Sequence, residues 1–316
     1  MPYPEAIKHY PRTFQIFIIR LFNRVESGKN VLCGVFGETG GGKSISTLQI
    51  MRGLYLYRYG KEPTDDYLLK HTFFKAKPFL EDMQKLAQYL KDTGKKKKQV
   101  WLFDEAGVEA SSRSWQSLQN KIIGWLAQTF RNLQQIIFFT TPSLSFLDSN
   151  VRKLLHFYLE AVDIDKKKSI CILKPLQMQY NTRMDKIYYH NLQYPTQKGI
   201  IEVEVMGCPK ITDELEAKYE NAKATFQDIA YGDMIGALNR LDDKKMPQLT
   251  DRQKKILVFL KKGETNRGKI AESLGMARAS LSQNFNYMRR KGIDVDKYLK
   301  KPKNLGVVDK KAEPST

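Results

Sequence analysis

At 316 residues the chain has room for one large domain with a small one, or for two medium domains, and either arrangement buries a substantial core. Its formal charge of +19 and pI near 9.6 are unusual for a cytosolic metabolic enzyme and point to a polyanionic partner, nucleic acid or an anionic membrane surface. Three separated cysteines (Cys33, Cys171, Cys208) suggest neither a disulfide framework nor a metal cluster and fit a reducing cytoplasm, and no run of about 18 apolar residues predicts a membrane span.

The opening residues read as lacking a signal peptide. Phe14 to Phe22 is apolar but short and is interrupted by Gln15 and Arg20. Residues 12–26 predict a largely apolar helix packed on the core. The apolar run Val31 to Phe36 predicts the first strand. Directly after it comes Gly37-Glu38-Thr39-Gly40-Gly41-Gly42-Lys43-Ser44, a full match to the phosphate-binding pattern G-x-x-x-x-G-K-[ST]. A helix is expected from Ser44 and Ile45 onward, which gives the strand, glycine loop and helix that the pattern needs.

The residue types suit the chemistry. Glycines at 37, 40, 41 and 42 can take positive φ and have no Cβ to block a ligand, so main-chain N–H groups can turn toward a phosphate. The positive end of the following helix adds to the field there. Lys43 is expected to reach the β and γ phosphates, and the Ser44 hydroxyl to ligate Mg²⁺. The expected ATP-binding set is therefore Gly37, Glu38, Thr39, Gly40, Gly41, Gly42, Lys43, Ser44 and Ile45.

Further along, Gly60 and Pro63 mark a turn, His71 to Phe74 a second strand, and Pro78 to Leu90 a helix with apolar residues at helical spacing. Lys95 to Lys98 reads either as a solvated loop or as a phosphate-contacting one. Val100 to Phe103 predicts a strand that ends in Asp104 and Glu105. In a chain with a phosphate loop, such a pair is expected to place Asp104 on Mg²⁺, directly or through water, and Glu105 as the carboxylate that polarises an attacking water. Gln134 to Thr141 predicts another core strand ending in hydroxyls. Thr140 and Thr141 either face the γ-phosphate region or cap the strand in a Thr-Thr-Pro turn. Short strands alternating with helices argue for a parallel sheet covered on both faces. Residues 169–176, 186–193 and 200–206 predict three further strands that extend or flank it. Pro209 to Ala230 reads as a polar helix leading outward, and Asp242 to Pro247 as a charged connector.

One order of segments carries a resemblance: Asp104-Glu105-Ala106-Gly107, Ser112-Arg113-Ser114, Gln128-Thr129-Phe130-Arg131-Asn132, Thr140-Thr141-Pro142-Ser143 and Leu147-Asp148-Ser149-Asn150-Val151-Arg152. Over roughly residues 30–210 the chain resembles the ATPase domain of the zonula occludens toxin-like proteins of filamentous phages, and more widely the FtsK–HerA group of DNA-pumping ATPases. The resemblance implies a homo-oligomeric ring, a hexamer, that hydrolyses ATP at subunit interfaces and moves DNA. It also implies that Arg131 serves a neighbouring subunit as a transition-state arginine, with Arg113 and Arg152 as weaker choices. The family's sensor strand commonly ends Thr-Gln, where this chain has Thr140-Thr141. Its phage members carry a transmembrane helix after the ATPase domain, and no apolar run here matches one.

The C-terminal segment changes pattern. Thr250 precedes a helix from Asp251, Asn266 opens a second through Leu274, Gly275 turns the chain, and Arg278 to Arg290 forms a third with Leu281, Phe285 and Met288 at core spacing. This is the helix-turn-helix plan, and it resembles winged-helix DNA-binding domains. Ser280, Ser282, Gln283 and Tyr287 point away from the apolar face, with Asn284 at its edge, and such groups pair with bases and phosphates. Residues 251–303 hold fifteen Lys/Arg against five Asp/Glu, so much of the excess charge sits here. Asp294 to Val308 reads as a wing or an irregular tail.

The expected architecture is thus α/β: a P-loop NTPase parallel sheet flanked by helices over 1–241, a linker over 242–249, a small helical helix-turn-helix domain over 250–308, and a disordered tail over 309–316. The expected activity is that of a cytoplasmic ATP- and Mg²⁺-dependent DNA translocase or helicase-like motor of a mobile element, virus or plasmid. The alternatives are an ATP-dependent replication initiator or segregation protein, and a nucleotide-responsive DNA-binding regulator.

Overall fold

The computed structural model describes residues 2–104, 133–197, 199–245 and 249–299, with backbone alone for 237–245. It divides into two compact units, Met1–Met234 and Ile235–Thr316.

The first unit is built on one mixed sheet. Strands β1 (Val31–Phe36), β2 (Thr72–Phe73), β3 (Val100–Phe103), β4 (Ile136–Thr140) and β5 (Phe157–Asp165) run parallel in the order β2-β3-β4-β1-β5. These strands are almost continuously apolar because both faces are covered. On β1, Val31, Cys33 and Val35 face one layer with α1 (Arg12–Glu26) and α2 (Lys43–Tyr59). Leu32 and Phe36 face the other, where α4 (Ala76–Thr93) contributes Phe79, Met83 and Leu86. The short α3 (Asp65–Lys70) leads into β2 and starts on Thr64, whose hydroxyl accepts from the Tyr67 N–H. Both α2 and α4 stop on left-handed glycines, Gly60 and Gly94, whose N–H groups close the last turn.

Beyond β5 the sheet turns antiparallel through β6 (Ile170–Asn181), β7 (Lys186–Thr196) and β8 (Gly199–Val203), while β9 (Met206–Pro209) pairs with the start of β6. The three strands expected after residue 169 are therefore present as an extension of the sheet. β5 and β9 are not among the predicted strands. Nor does the polar helix lead straight outward. It spans Asp213–Lys245, and its first turns bury Leu215 and Tyr219 in the main core, so residues 242–245, assigned to a connector, continue it.

The second unit packs the helices Asp251–Lys261, Arg267–Ser273, Arg278–Arg290 and Val295–Leu299 around Ile256, Leu260, Ile270, Leu281, Phe285, Met288 and Val295. Thr250 and Gln253 form a reciprocal capping box on the first of these helices, and Asn266 caps the second through the Gly268 and Lys269 N–H groups. Gly275, at φ +59°, turns the chain toward the third. Residues 295–299, expected in a wing or tail, are helical.

Candidate functional site

Because β1, β3 and β4 are parallel, their carboxyl ends lie together, and register decides which side chains meet. Phe103 pairs with Phe139 and Thr140 with Val35, so the residue after β3, Asp104, lies beside Thr140, and the loop after β1 opens next to both. β4 separates the strand before the glycine loop from the strand before Asp104.

The loop itself requires glycine. Gly37 has φ +141°, and a Cβ there would lie 2.7 Å from the Ala161 carbonyl oxygen. Gly42 has φ +78°, and its Cβ would lie 2.9 Å from Cys171 Sγ. Gly42 is also the N-cap of α2 and offers no side-chain oxygen to the first turn. The leading N–H groups of a helix have no intrahelical acceptor, so this terminus is built to face an anion. Lys43 reaches back over the loop, donating from Nζ to the Gly37 oxygen at 3.0 Å and the Glu38 oxygen at 2.7 Å.

Asp104 is fully buried and is held by three hydroxyls. Ser44 donates to Oδ1 at 2.7 Å, Thr140 donates to the same oxygen, and Tyr219 donates to Oδ2. Burial, and after it the neighbouring Asp104 carboxylate, push the Tyr219 phenol far above its ordinary pKa, so it keeps its proton and acts as a donor. Among the described residues Thr141 Oγ1, buried at the end of β4, has no hydrogen-bond partner.

These groups open on a cleft of about 260 Å³. Thr39, Gly40, Gly42, Lys43, Ser44 and Ile45 form one wall, with Gly37, Glu38 and Gly41 completing the loop behind it. Thr140 and Thr141 also line it, a position open to both readings of this pair. Glu216, Tyr219, Glu220 and Lys223, one face of the helix Asp213–Lys245, form the far wall. Lys210 joins them and is paired with Glu216 at 2.5 Å.

Composition and spacing single out none of Tyr219, Lys210 or Lys223. The available signal is the apolar stripe Ile211, Leu215, Tyr219, Phe226, which turns the helix toward the core. Glu105, Arg113 and Arg131 lie outside the described residues. Arg152 is tied to the carbonyls of Leu147 at 2.7 Å and Ser145 at 3.2 Å, so it secures its own loop.

The donor set fits a nucleotide with Mg²⁺. A hydroxyl and a carboxylate are hard oxygen ligands, and among the described residues no cluster of three or more His, Cys, Asp or Glu could hold a metal. That sparse set suits an ion that keeps its waters and takes other ligands from phosphates. The unpaired Thr141 hydroxyl and a loop that only glycine can form agree with a phosphate-sized guest.

No protein-family model matches the chain, and no curated protein matches it either. Among solved structures it is similar to the N-terminal domain of zonular occludens toxin from Neisseria meningitidis, at 16% identity over 52% of this chain and 95% of that one, with a TM-score of 0.30. It is also similar to a KaiC-like protein from Pyrococcus horikoshii, at 12% identity over 56% and 89% of the two chains, with a TM-score of 0.28. Similarities this low carry no weight for activity. The parallel sheet, the glycine loop after β1 and the acidic residue after β3 make the fold that of an α/β P-loop NTPase.

Proposed function

We propose that the chain is an ATP-hydrolysing motor acting on DNA, a translocase or helicase-like ATPase of a mobile element, virus or plasmid, and that it works as a homo-oligomeric ring. The observation that carries the ATPase half is the junction of Ser44 and Asp104 at 2.7 Å, one residue from Lys43, at the carboxyl ends of β1 and β3. In this reading the loop amides and the α2 terminus grip the triphosphate. Lys43 exchanges the Gly37 and Glu38 oxygens for phosphate oxygens. Ser44 and Asp104 would hold Mg²⁺, which when bound would offset charge on the phosphates. Glu105, next in sequence to Asp104, orients the attacking water and accepts its proton, and Arg131 from a neighbouring copy completes the site.

The DNA half rests on the second unit. Its third helix buries Leu281, Phe285 and Met288 and leaves Gln283 and Tyr287 exposed, as a helix that reads a groove requires. Asn284, expected at the edge of that face, donates to the Ser280 carbonyl of its own helix at 2.9 Å, so in this reading Gln283 meets a base edge and Tyr287 a phosphate. Fifteen Lys/Arg against five Asp/Glu over 251–303 supply the salt-dependent attraction.

Steady-state hydrolysis tests this reading. DNA-stimulated ATPase activity should fall by at least about 100-fold in both Lys43→Ala and Glu105→Gln. Only Glu105→Gln should retain nucleotide binding. Unchanged turnover in Glu105→Gln would remove the catalytic assignment. ATP-dependent binding of one DNA site without movement along the duplex would favour the initiator over the motor.

A further inference from the structure

The opposite end of the parallel sheet holds a second cleft. Two cavities of about 360 and 560 Å³, one against each face of the sheet, share a rim of Arg24, Ser27 and Lys29 and together make a groove bent around the amino ends of β1 and β5. Neither has an Asp or Glu in its lining. Arg20 and Lys29 are exposed and Arg24 is half-buried. Among the described residues no carboxylate pairs with any of the three. Arg20 donates to Gln177 Oε1 at 2.8 Å, and Arg24 Nε to the Asn30 oxygen at 2.9 Å, so both are held in place by neutral groups. Burial, and then the charge of Arg20, work against the Arg24 cation. Like charges held together without a counter-ion mark a place for an anion to enter.

Two more features fit an anionic strand. His156 is kept neutral by burial and by Arg24, and its Nδ1 accepts from the Leu32 N–H at 3.0 Å, which leaves its proton on Nε2 as a donor in the groove wall. The rings of Tyr194 and Tyr180 line the two halves, with Arg12 at 5.6 Å above the first and Lys153 at 5.3 Å above the second; Lys153 is itself paired with Asp185 at 2.5 Å, and Tyr180 donates to the same carboxylate at 2.6 Å. The exposed lysines 95–97, just before β3, lie at this same end of the sheet, while Lys98 is engaged by Glu26 at 2.6 Å.

We infer that this groove binds the phosphate backbone of single-stranded nucleic acid, at a site separate from both the nucleotide cleft and the C-terminal unit. A row of cations beside aromatic rings is how sequence-tolerant single-strand sites are built. The six residues of β1 separate the groove from the glycine loop by roughly 20 Å at about 3.3 Å per residue, so one strand and one triphosphate can bind together.

The test uses the full chain without nucleotide, so a failure of the ATPase reading leaves it intact. Binding of a short fluorescein-labelled oligothymidylate is followed by anisotropy from low to high salt. Arg20→Gln/Lys29→Gln should weaken binding on the order of tenfold and flatten the log–log salt slope by about 1.4, two phosphate contacts at about 0.7 each. Lys166→Gln/Lys167→Gln, an equal charge loss on exposed residues of the β5–β6 turn, should change neither. Equal losses in both variants would reduce the effect to net charge, and parental binding by Arg20→Gln/Lys29→Gln would remove the site. If that variant loses only inorganic phosphate or phosphatidylserine vesicles and keeps the oligonucleotide, the nucleic-acid assignment is overturned.

Discussion

Asp104 accepts from Ser44, Thr140 and Tyr219, and this arrangement makes a distinctive demand on Tyr219. Removing its hydroxyl leaves one oxygen of a buried carboxylate without its donor, a loss of about 1–3 kcal/mol. Tyr219→Phe should therefore lower the melting temperature and raise the Mg²⁺ concentration needed for half-maximal nucleotide binding. An unchanged Mg²⁺ dependence would show that Asp104 is positioned without it. Gly42 gives the second prediction at this scale. At φ +78° and with Cys171 Sγ in the path of a Cβ, Gly42→Ala should weaken nucleotide binding at least about tenfold while the sheet still unfolds cooperatively. Calorimetric titration and thermal unfolding separate the two effects.

The elements show what sequence carries and what it does not. The glycine loop, β1, β3 and β4 are legible because local signals coincide there: apolar runs, turn residues, and an acidic residue at a strand end. The order β2-β3-β4-β1-β5 is not legible, since register is set by packing across the sheet. β5 escapes for a local reason. Phe157, Leu159 and Ala161 alternate inward, but the strand ends in Asp163 and Asp165 before three lysines, which reads as a charged loop. The helix Asp213–Lys245 looks solvated by composition, because one stripe of apolar residues docks it and the rest is polar. Its inward stripe delivers Tyr219 to the site, a tertiary contact that no spacing announces. Register also explains why Thr140 lines the candidate site: it stands between β1 and Asp104.

In the first unit the two ends of the parallel strands carry different groups. The carboxyl ends of the parallel strands hold the glycine loop and Asp104, and the amino ends hold Arg20, Arg24, Lys29 and the lysine run. His156 lies among the latter with its pKa lowered to about 3, against about 6.5 when unfolded. Between those values the unfolded chain binds a proton that the folded chain does not, so stability falls as pH drops below about 6.5, by at most roughly 1.4 kcal/mol per unit. His71, lowered chiefly by burial, acts in the same direction. Urea unfolding between about pH 6.5 and 5, above the main carboxylate range, should show a shallower loss in His156→Gln than in the parent. In the proposed site the loop at Gly37–Ser44 and the Asp104 carboxylate grip a triphosphate with Mg²⁺. Calorimetric titration with a non-hydrolysable ATP analogue, with Mg²⁺ or with EDTA, tests it most directly. The parent should bind at least about tenfold tighter with Mg²⁺, and Asp104→Asn should bind equally in both. Equal affinity of the parent with and without Mg²⁺, or a full Mg²⁺ effect in Asp104→Asn, would contradict the account.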